Sequence, residues 1–278
     1  MKALFDNYSF KASRLVTKSY STSFYAGVKC LDKDIRDDIH AIYGLVRFAD
    51  EIVDTFHDFD KGPLLQEFKQ ATFDAIERKI SLNPILNSFQ SAVNKYDIDH
   101  QLINQFFHSM EMDLHPVDYT IESYKEYILG SAEVVGLMCL KIFVYGNNDE
   151  YLRLKPFAMK LGSAFQKINF LRDMKDDFNN LGRVYFPGLD FDSITAQDKQ
   201  KIEEEIDQEF KEAYIGIKQL PKSSRFGVYV SYVYYTKLLV KIKQKTAKEL
   251  LKERIRISNN TKLFLFAKSY VQNSINLL

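Results

Sequence analysis

Most of this chain repeats its apolar residues at the period of a helix, and little of it alternates. Loop signals rich in Gly, Pro, Asn and Asp fall at "FDKGP" (59–63), "SLNP" (81–84), "DLHPVD" (113–118), "YGNNDE" (145–150), "NNLGRVYFPGLD" (179–190) and "LPKSS" (220–224). The segments between them are long and helical in period. The main alternating run, "VYVSYVYY" (228–235), is flanked by Lys-rich helical pattern and reads as part of a helix. These features predict an all-α fold, with residues 1–278 as a single helical domain.

Two helical segments carry charge where an ordinary amphipathic helix would not. In "AIYGLVRFADEIVD" (41–54), at roughly 100° per residue, Leu45, Val46, Ala49 and Val53 cluster within about 60° of Ile42 and form a core face. Tyr43, Arg47, Asp50 and Asp54 fall together at roughly 80–140°, and Glu51 lies further round. In "LGSAFQKINFLRDMKDDF" (161–178), Gly162, Gln166, Asn169, Asp173, Asp176 and Asp177 lie within roughly 60° of one line. Phe165, Ile168 and Leu161 flank that line on one side, Phe170 and Met174 on the other. Lys160, Lys167 and Lys175 sit opposite and are the expected solvent face, so the carboxylate stripe is expected to point inward.

Composition narrows the setting. With 278 residues, 46% of them hydrophobic, the chain can bury a large core, and 14% aromatic residues exclude a disordered chain. Only 11 Gly and 6 Pro favour long helices over a sandwich or barrel. Cys30 and Cys139 form neither a disulfide framework nor a zinc spacing, which fits a reducing cytoplasm. The start, "MKALFDNYSFKASR", lacks the apolar core of a signal peptide, and no run of 18 apolar residues predicts a membrane span. Net charge is +1 but uneven: from Lys211 onward 14 Lys and Arg face three Glu, whereas the preceding 210 residues hold 24 Lys and Arg against 34 acidic residues. Such a basic last quarter is either a solvated helix face or a surface for phosphates, an anionic membrane or nucleic acid.

A single Asp-x-x-x-Asp pair on a helix is ordinarily solvated. Two such pairs, each beside Arg, and one continuing a Gly–Gln–Asn stripe, argue for a shared interior site. Carboxylates crowded in a poorly hydrated place raise one another's pKa or recruit cations. Hard oxygen ligands on two helices, with no His or Cys in either motif, suit Mg²⁺, which keeps some waters and shares its remaining positions with substrate phosphates. Arg47, Arg172 and Arg183 stand beside the carboxylates and could grip phosphate oxygens.

The stretches "YSTSF" (20–24), "AIYGLVRFADEIVD" (41–54), "YILGSAEVVGLM" (127–138), "LGSAFQKINFLRDMKDDF" (161–178), "GRVYFP" (182–187) and "RIRISNNTKL" (254–263) together resemble the squalene/phytoene synthase family over nearly the whole chain. The resemblance implies an isoprenoid synthase fold, all-α, around a central apolar cavity. It also implies head-to-head joining of two prenyl diphosphates through a cyclopropylcarbinyl diphosphate. Two or three Mg²⁺ ions, with Mn²⁺ as a substitute, would be held by Asp50, Glu51, Asp54, Asn169, Asp173 and Asp177. The aspartates with Tyr127, Arg47 and Arg172 would form the catalytic set. Ser21, Phe24, Tyr43, Val135, Gln166, Asn169, Arg183, Tyr235, Arg254 and Lys262 would bind substrate.

The chain departs from the family's commonest pattern at Glu51, where Asp is usual, and at Glu133, where Gly is usual. Phytoene from two geranylgeranyl diphosphates, for carotenoid biosynthesis, is the expected product. Dehydrosqualene or squalene from farnesyl diphosphate is the alternative, with NADPH required only for squalene. No G-x-G-x-x-G marks a dinucleotide domain. The want of a C-terminal anchor fits a bacterial enzyme better than a eukaryotic squalene synthase. A scaffold of the same fold should have lost the carboxylates, and all four motif aspartates remain. No nucleic-acid partner is expected; peripheral contact with a membrane and a downstream desaturase are.

Overall fold

The structure is a computed structural model that describes residues 1–114, 119–181, 185–188 and 195–274, the side chains of 176–181 and 274 excepted. All of its described regular structure is helical: α1 (Lys2–Tyr20), α2 (Thr22–Val28), α3 (Lys33–Thr55), α4 (Lys61–Arg78), α5 (Pro84–Tyr96), α6 (His100–Leu114), α7 (Ile121–Ile128), a π-helical turn (Leu129–Glu133), α8 (Val134–Phe143), α9 (Asn148–Leu181), α10 (Ala196–Gln219), α11 (Lys222–Lys243), α12 (Ala247–Leu250) and α13 (Asn259–Ser274). The alternating run at 228–235 lies inside α11, as its flanks predicted.

Local chemistry sets the helix starts. Asn83 caps α5, its side chain accepting from the Ile85 and Leu86 amides, and Pro84 follows where a missing N–H costs nothing. Thr120, Thr195 and Thr246 form capping boxes with Ser123, Asp198 and Glu249. Packing then selects the buried face. On α3, Ile35, Ile39, Ile42, Leu45, Ala49 and Val53 are each no more than 1% exposed. Truncating one such residue, Leu45→Ala for instance, costs roughly 2–5 kcal/mol. Val46 shares the core arc in sequence but instead lines a cavity.

Two apolar clusters result. One joins α3, α5, α6 and α8; the other joins α7, the second half of α9, α10, α11 and α12. Close helix approach depends on small residues at two crossings. A side chain at Gly162 of α9 would put its Cβ 2.8 Å from the Ala132 carbonyl oxygen and 3.1 Å from Glu133 Cα, so only hydrogen fits against the π-helical turn. At the crossing of α2 with α11, a Cβ on Gly227 would lie 2.9 Å from the Gly27 carbonyl oxygen.

The opposite face of α9 departs from expectation. Lys167 does not face solvent: it is 3% exposed, and its Nζ donates to Glu205 at 2.6 Å and Glu209 at 2.9 Å on α10. Ser163 Oγ also donates to Glu209, at 2.9 Å, and Lys160 lies 3.8 Å from it. Helix α10 supplies acidic partners that a reading of α9 alone could not include, and pairing makes burial of the ammonium tolerable.

Candidate active site

Between the two clusters lies a cavity of about 720 Å³, walled by α2, α3, the π-helical turn, α8, α9 and α11. Along both α3 and α9 the wall changes character in the same sense. Ile39 and Ile42 on α3, and Leu154, Phe157 and Leu161 on α9, are followed toward the helix C-termini by Tyr43, Arg47, Asp50 and Asp54, and by Gln166, Asn169, Arg172 and Asp173. Carboxylates near a helix C-terminus meet the negative end of its dipole, so Asp50, Glu51 and Asp54, in the last turns of α3, stand where a cation is favoured.

Guanidinium groups answer that charge within the chain. Arg47 donates from Nη1 to Asp50 and from Nη2 to Glu51, while its guanidinium lies over the Tyr20 ring at 4.4 Å. Its Nε is buried without a hydrogen-bond partner among the described residues, a donor still available to an anion. Asp173 is held from two sides: Arg172 Nε donates at 2.9 Å, and Arg254, from the segment before α13, approaches to 2.7 Å. Burial works against a charged Arg172, but the bond to Asp173 prevails and holds the guanidinium firmly protonated.

The Asp50 side chain keeps a third of its surface exposed, yet that surface faces the cavity and protein surrounds it at longer range. Burial first, then Asp54 beside it and Asp113 nearby, push its carboxyl up to about 7 in spite of Arg47. Asp113 is the acidic wall residue that sequence reasoning missed. It ends α6, 6% exposed, and its Oδ2 accepts from Tyr127 Oη at 2.8 Å. Burial drives the Tyr127 phenol well above its ordinary range, with Asp113 adding to the shift. No sequence pattern separates this aspartate from Asp99 or Asp97; only the fold brings it to the wall. Ser131, on the π-helical turn, was missed too, and its Oγ is buried without a partner among the described residues.

Aromatic side chains floor the polar zone. Phe24 stacks on Tyr43 with ring centroids 5.0 Å apart, and Phe165 on Tyr235 at 3.9 Å. Tyr235 Oη donates to Asn169 Oδ1 at 3.2 Å, and Asn169 donates to Gln166 at 3.3 Å, tying α11 to the stripe of α9. Ser21 caps α2 by accepting from the Phe24 amide at 3.3 Å and also faces the cavity. Burial pushes the Tyr43 phenol up to about 12 and the Cys139 thiol likewise to about 12, so both stay protonated.

The cavity wall thus brings together Ser21, Phe24, Tyr43, Arg47, Asp50, Asp54, Tyr127, Val135, Gln166, Asn169, Arg172, Asp173, Tyr235 and Arg254. Glu51 and Lys262 are not on it. Glu51 turns to Arg47 and Thr55, and the carbonyl of Lys262 accepts from Tyr234 Oη. Arg183 and the side chains of Asp176 and Asp177 lie outside the described residues. Among the described residues no three His, Cys, Asp or Glu side chains converge as a ready-made metal cage. The donor set still fits a hard divalent cation: carboxylate oxygens on two helices, an Asp50 carboxyl that burial, then Asp54, make costly to ionise without a further cation, and a wall thiol too protonated to ligate.

The sequence profile of squalene/phytoene synthase matches residues 17–261. The chain belongs to that family. The phytoene synthase of Mycobacterium bovis is 26% identical over 195 residues, 67% of this chain and 60% of that one. The 4,4'-diapophytoene synthase of Staphylococcus haemolyticus is 27% identical over 194 residues, 67% of this chain and 64% of that one. The chain therefore spans somewhat less than two thirds of these relatives' length. A dehydrosqualene synthase crystallised with a ligand superposes with a TM-score of 0.82 over 97% of this chain and 98% of its own, at 18% identity, which establishes the shared all-α isoprenoid synthase fold.

Proposed function

We propose that this member of the family is a prenyltransferase that joins two prenyl diphosphates head to head, with geranylgeranyl diphosphate as substrate and phytoene as product. The observation that carries the reading is the pair of carboxylate-bearing helix ends, α3 and α9, each already matched with arginine, closing one end of an apolar cavity. Arg47, Arg172 and Arg254 would grip the diphosphates, Arg47 through its unpartnered Nε as well. Asp50, Asp54, Asp173 and Asp177, with Asn169 beside them, would hold Mg²⁺, which supplies charge stabilisation for the departing diphosphate, while Glu51 serves to hold Arg47. A cavity of about 720 Å³ falls in the range of roughly 300–1,000 Å³ usual for small-molecule sites, and its apolar zone excludes the water that would trap a carbocation. The stacked pairs Phe24–Tyr43 and Phe165–Tyr235 offer ring faces that support positive charge without attacking it. Among the described residues no histidine lines the cavity, and the released diphosphate is the proposed acceptor of the final proton.

A C30 product from farnesyl diphosphate is the second reading. The diapophytoene synthase relative, as similar in sequence as the phytoene synthase, favours it. NADPH enters only if the C30 product is squalene. On either reading the protein is proposed to act in the cytoplasm, and the product's insolubility in water would call for contact with a membrane surface and suit a desaturase acting on the product.

The test is incubation of the purified protein with Mg²⁺ and either farnesyl or geranylgeranyl diphosphate, each with and without NADPH, followed by hydrocarbon extraction. A C40 hydrocarbon formed without NADPH is the expected result. A C30 hydrocarbon selects the second reading, NADPH dependence separating squalene from dehydrosqualene. Neither hydrocarbon nor released diphosphate would overturn both.

A further inference from the structure

Helix α13 turns one face to α11 and leaves the other bare. On the inner side, the Phe226 ring meets Phe266 and Tyr270 at 6.1 Å, Tyr234 Oη donates to the Lys262 carbonyl at 3.0 Å, and Tyr229 Oη donates to Gln272 at 3.1 Å. At 100° per residue, Leu263, Ala267, Val271 and Phe264 fill an arc of roughly 100° on the outer side, with Tyr270 at its edge against Phe226. Leu263 is 69% exposed, Phe264 67% and Val271 56%. Scattered exposed apolar residues are ordinary, but three large ones on one helical arc are not.

The charge around the arc has one sign. From residue 254 to 274 the chain carries Arg254, Arg256, Lys262 and Lys268 and no Asp or Glu. Lys268, exposed, borders the apolar arc next to Phe264. A second copy of the chain pairing through this face by two-fold symmetry would set these cations against one another. An apolar arc bordered by Lys268, in a segment free of acidic residues, suits a helix lying in the surface of an anionic bilayer, apolar residues in the headgroup–acyl boundary and the ammonium group at the phosphates. The position is apt as well: α11, which carries α13 on one side, lines the cavity on the other with Gly227, Val228, Ser231 and Tyr235.

We propose that the outer face of α13 docks the protein onto an anionic lipid surface, with Leu263, Phe264 and Val271 as the inserting residues and Lys268 as a phosphate contact. The docking goes beyond the proposed reaction and does not depend on it. Full-length protein is sedimented with vesicles of phosphatidylcholine alone and of phosphatidylcholine with phosphatidylglycerol. Binding is expected to the anionic vesicles and to weaken with salt. A Leu263→Ser, Phe264→Ser double variant is expected to lose at least about tenfold in partitioning, and Lys268→Ala about fivefold. Leu4→Ser with Leu15→Ser on α1, at positions 72% and 63% exposed, is the control and should bind as the parent does. Unchanged melting temperatures confirm that every variant is folded. Absence of binding to anionic vesicles, parental binding by the α13 variants, or an equal loss in the α1 control overturns the proposal. So does light scattering that shows the α13 double variant turning an oligomer into a monomer with vesicle binding intact. Product formation, assayed without vesicles, reads the reaction separately.

Discussion

Helix α9 is charged on both of its long faces, and both faces lie inside the protein. On one, Asp173 is held by Arg172 and Arg254 at the wall of a cavity. On the other, Lys167 is closed in between Glu205 and Glu209 of α10. Both satisfy the demand that buried charge be paired. They differ in what surrounds the pair. In the Lys167 cluster the ammonium and the Glu209 carboxylate are closed in by packed helix, and only Glu205 reaches solvent. The Asp173 cluster opens onto space, with a spare donor on Arg47 and the Ser131 Oγ both without a partner among the described residues. Pairing alone therefore does not mark a site. Pairing beside open volume, with unused donors, does.

The sharpest way to break the comparison is to remove one charge from each side. Lys167→Met leaves Glu209 buried with only the Ser163 hydroxyl and the more distant Lys160 and should cost about 3 kcal/mol of stability, read by denaturant unfolding, with turnover per folded molecule unchanged. Asp173→Asn should do the reverse: diphosphate release falls at least about a hundredfold, equivalent to about 2.7 kcal/mol of barrier, while the melting temperature stays close to the parent's. If both variants lost stability alike, the distinction between the two faces would fail.

A smaller effect probes the seam between them. Gly162→Ala forces a methyl against the Ala132 carbonyl and should destabilise by about 1–3 kcal/mol, again by unfolding. The smallest effect concerns Glu133, which faces Glu209, Lys160 and Lys167; burial and then Glu209 raise its carboxyl to about 7. The folded state thus holds a proton that the unfolded state has released, so Glu133 favours folding below about pH 4.5 and loses that contribution as pH rises through about 7. Glu133→Gln should flatten this slope and gain about 1 kcal/mol at pH 8, allowing for the carboxyl's partial exposure. A parental pH–stability curve in the variant would show that Glu133 is already ionised across the range.

Much of this was legible from residue order. Helical period marked the core arc of α3, and the double polar face of α9 showed that one stripe had to lie inside. Which partners each stripe meets was not legible. Lys167 looked like a solvent residue because its acidic partners sit some forty positions later on α10. Asp113 carried no signal because its role depends on the end of α6 meeting Tyr127 and the first carboxylate motif. Lys262 sits in a stretch that resembles the family, but its place along α13 sets it off the cavity wall.

The π-helical turn at Leu129–Glu133 takes up a residue of chain length without turning the cavity wall. In an uninterrupted α-helix, Tyr127 and Val135, eight positions apart, would point roughly 80° from each other. The wider turn absorbs about one extra residue, and both side chains reach the same wall, followed by Gly136, Cys139 and Phe143. Deleting one residue between 129 and 133 would restore ordinary helix, put Tyr127 and Val135 seven positions and roughly 20° apart, and leave the wall of α8 as it is. A deletion elsewhere in α8, with no wide turn to absorb it, would swing everything after it by roughly 100°. The turn is therefore the one place in this segment where the chain can change length by a residue and keep its face to the cavity.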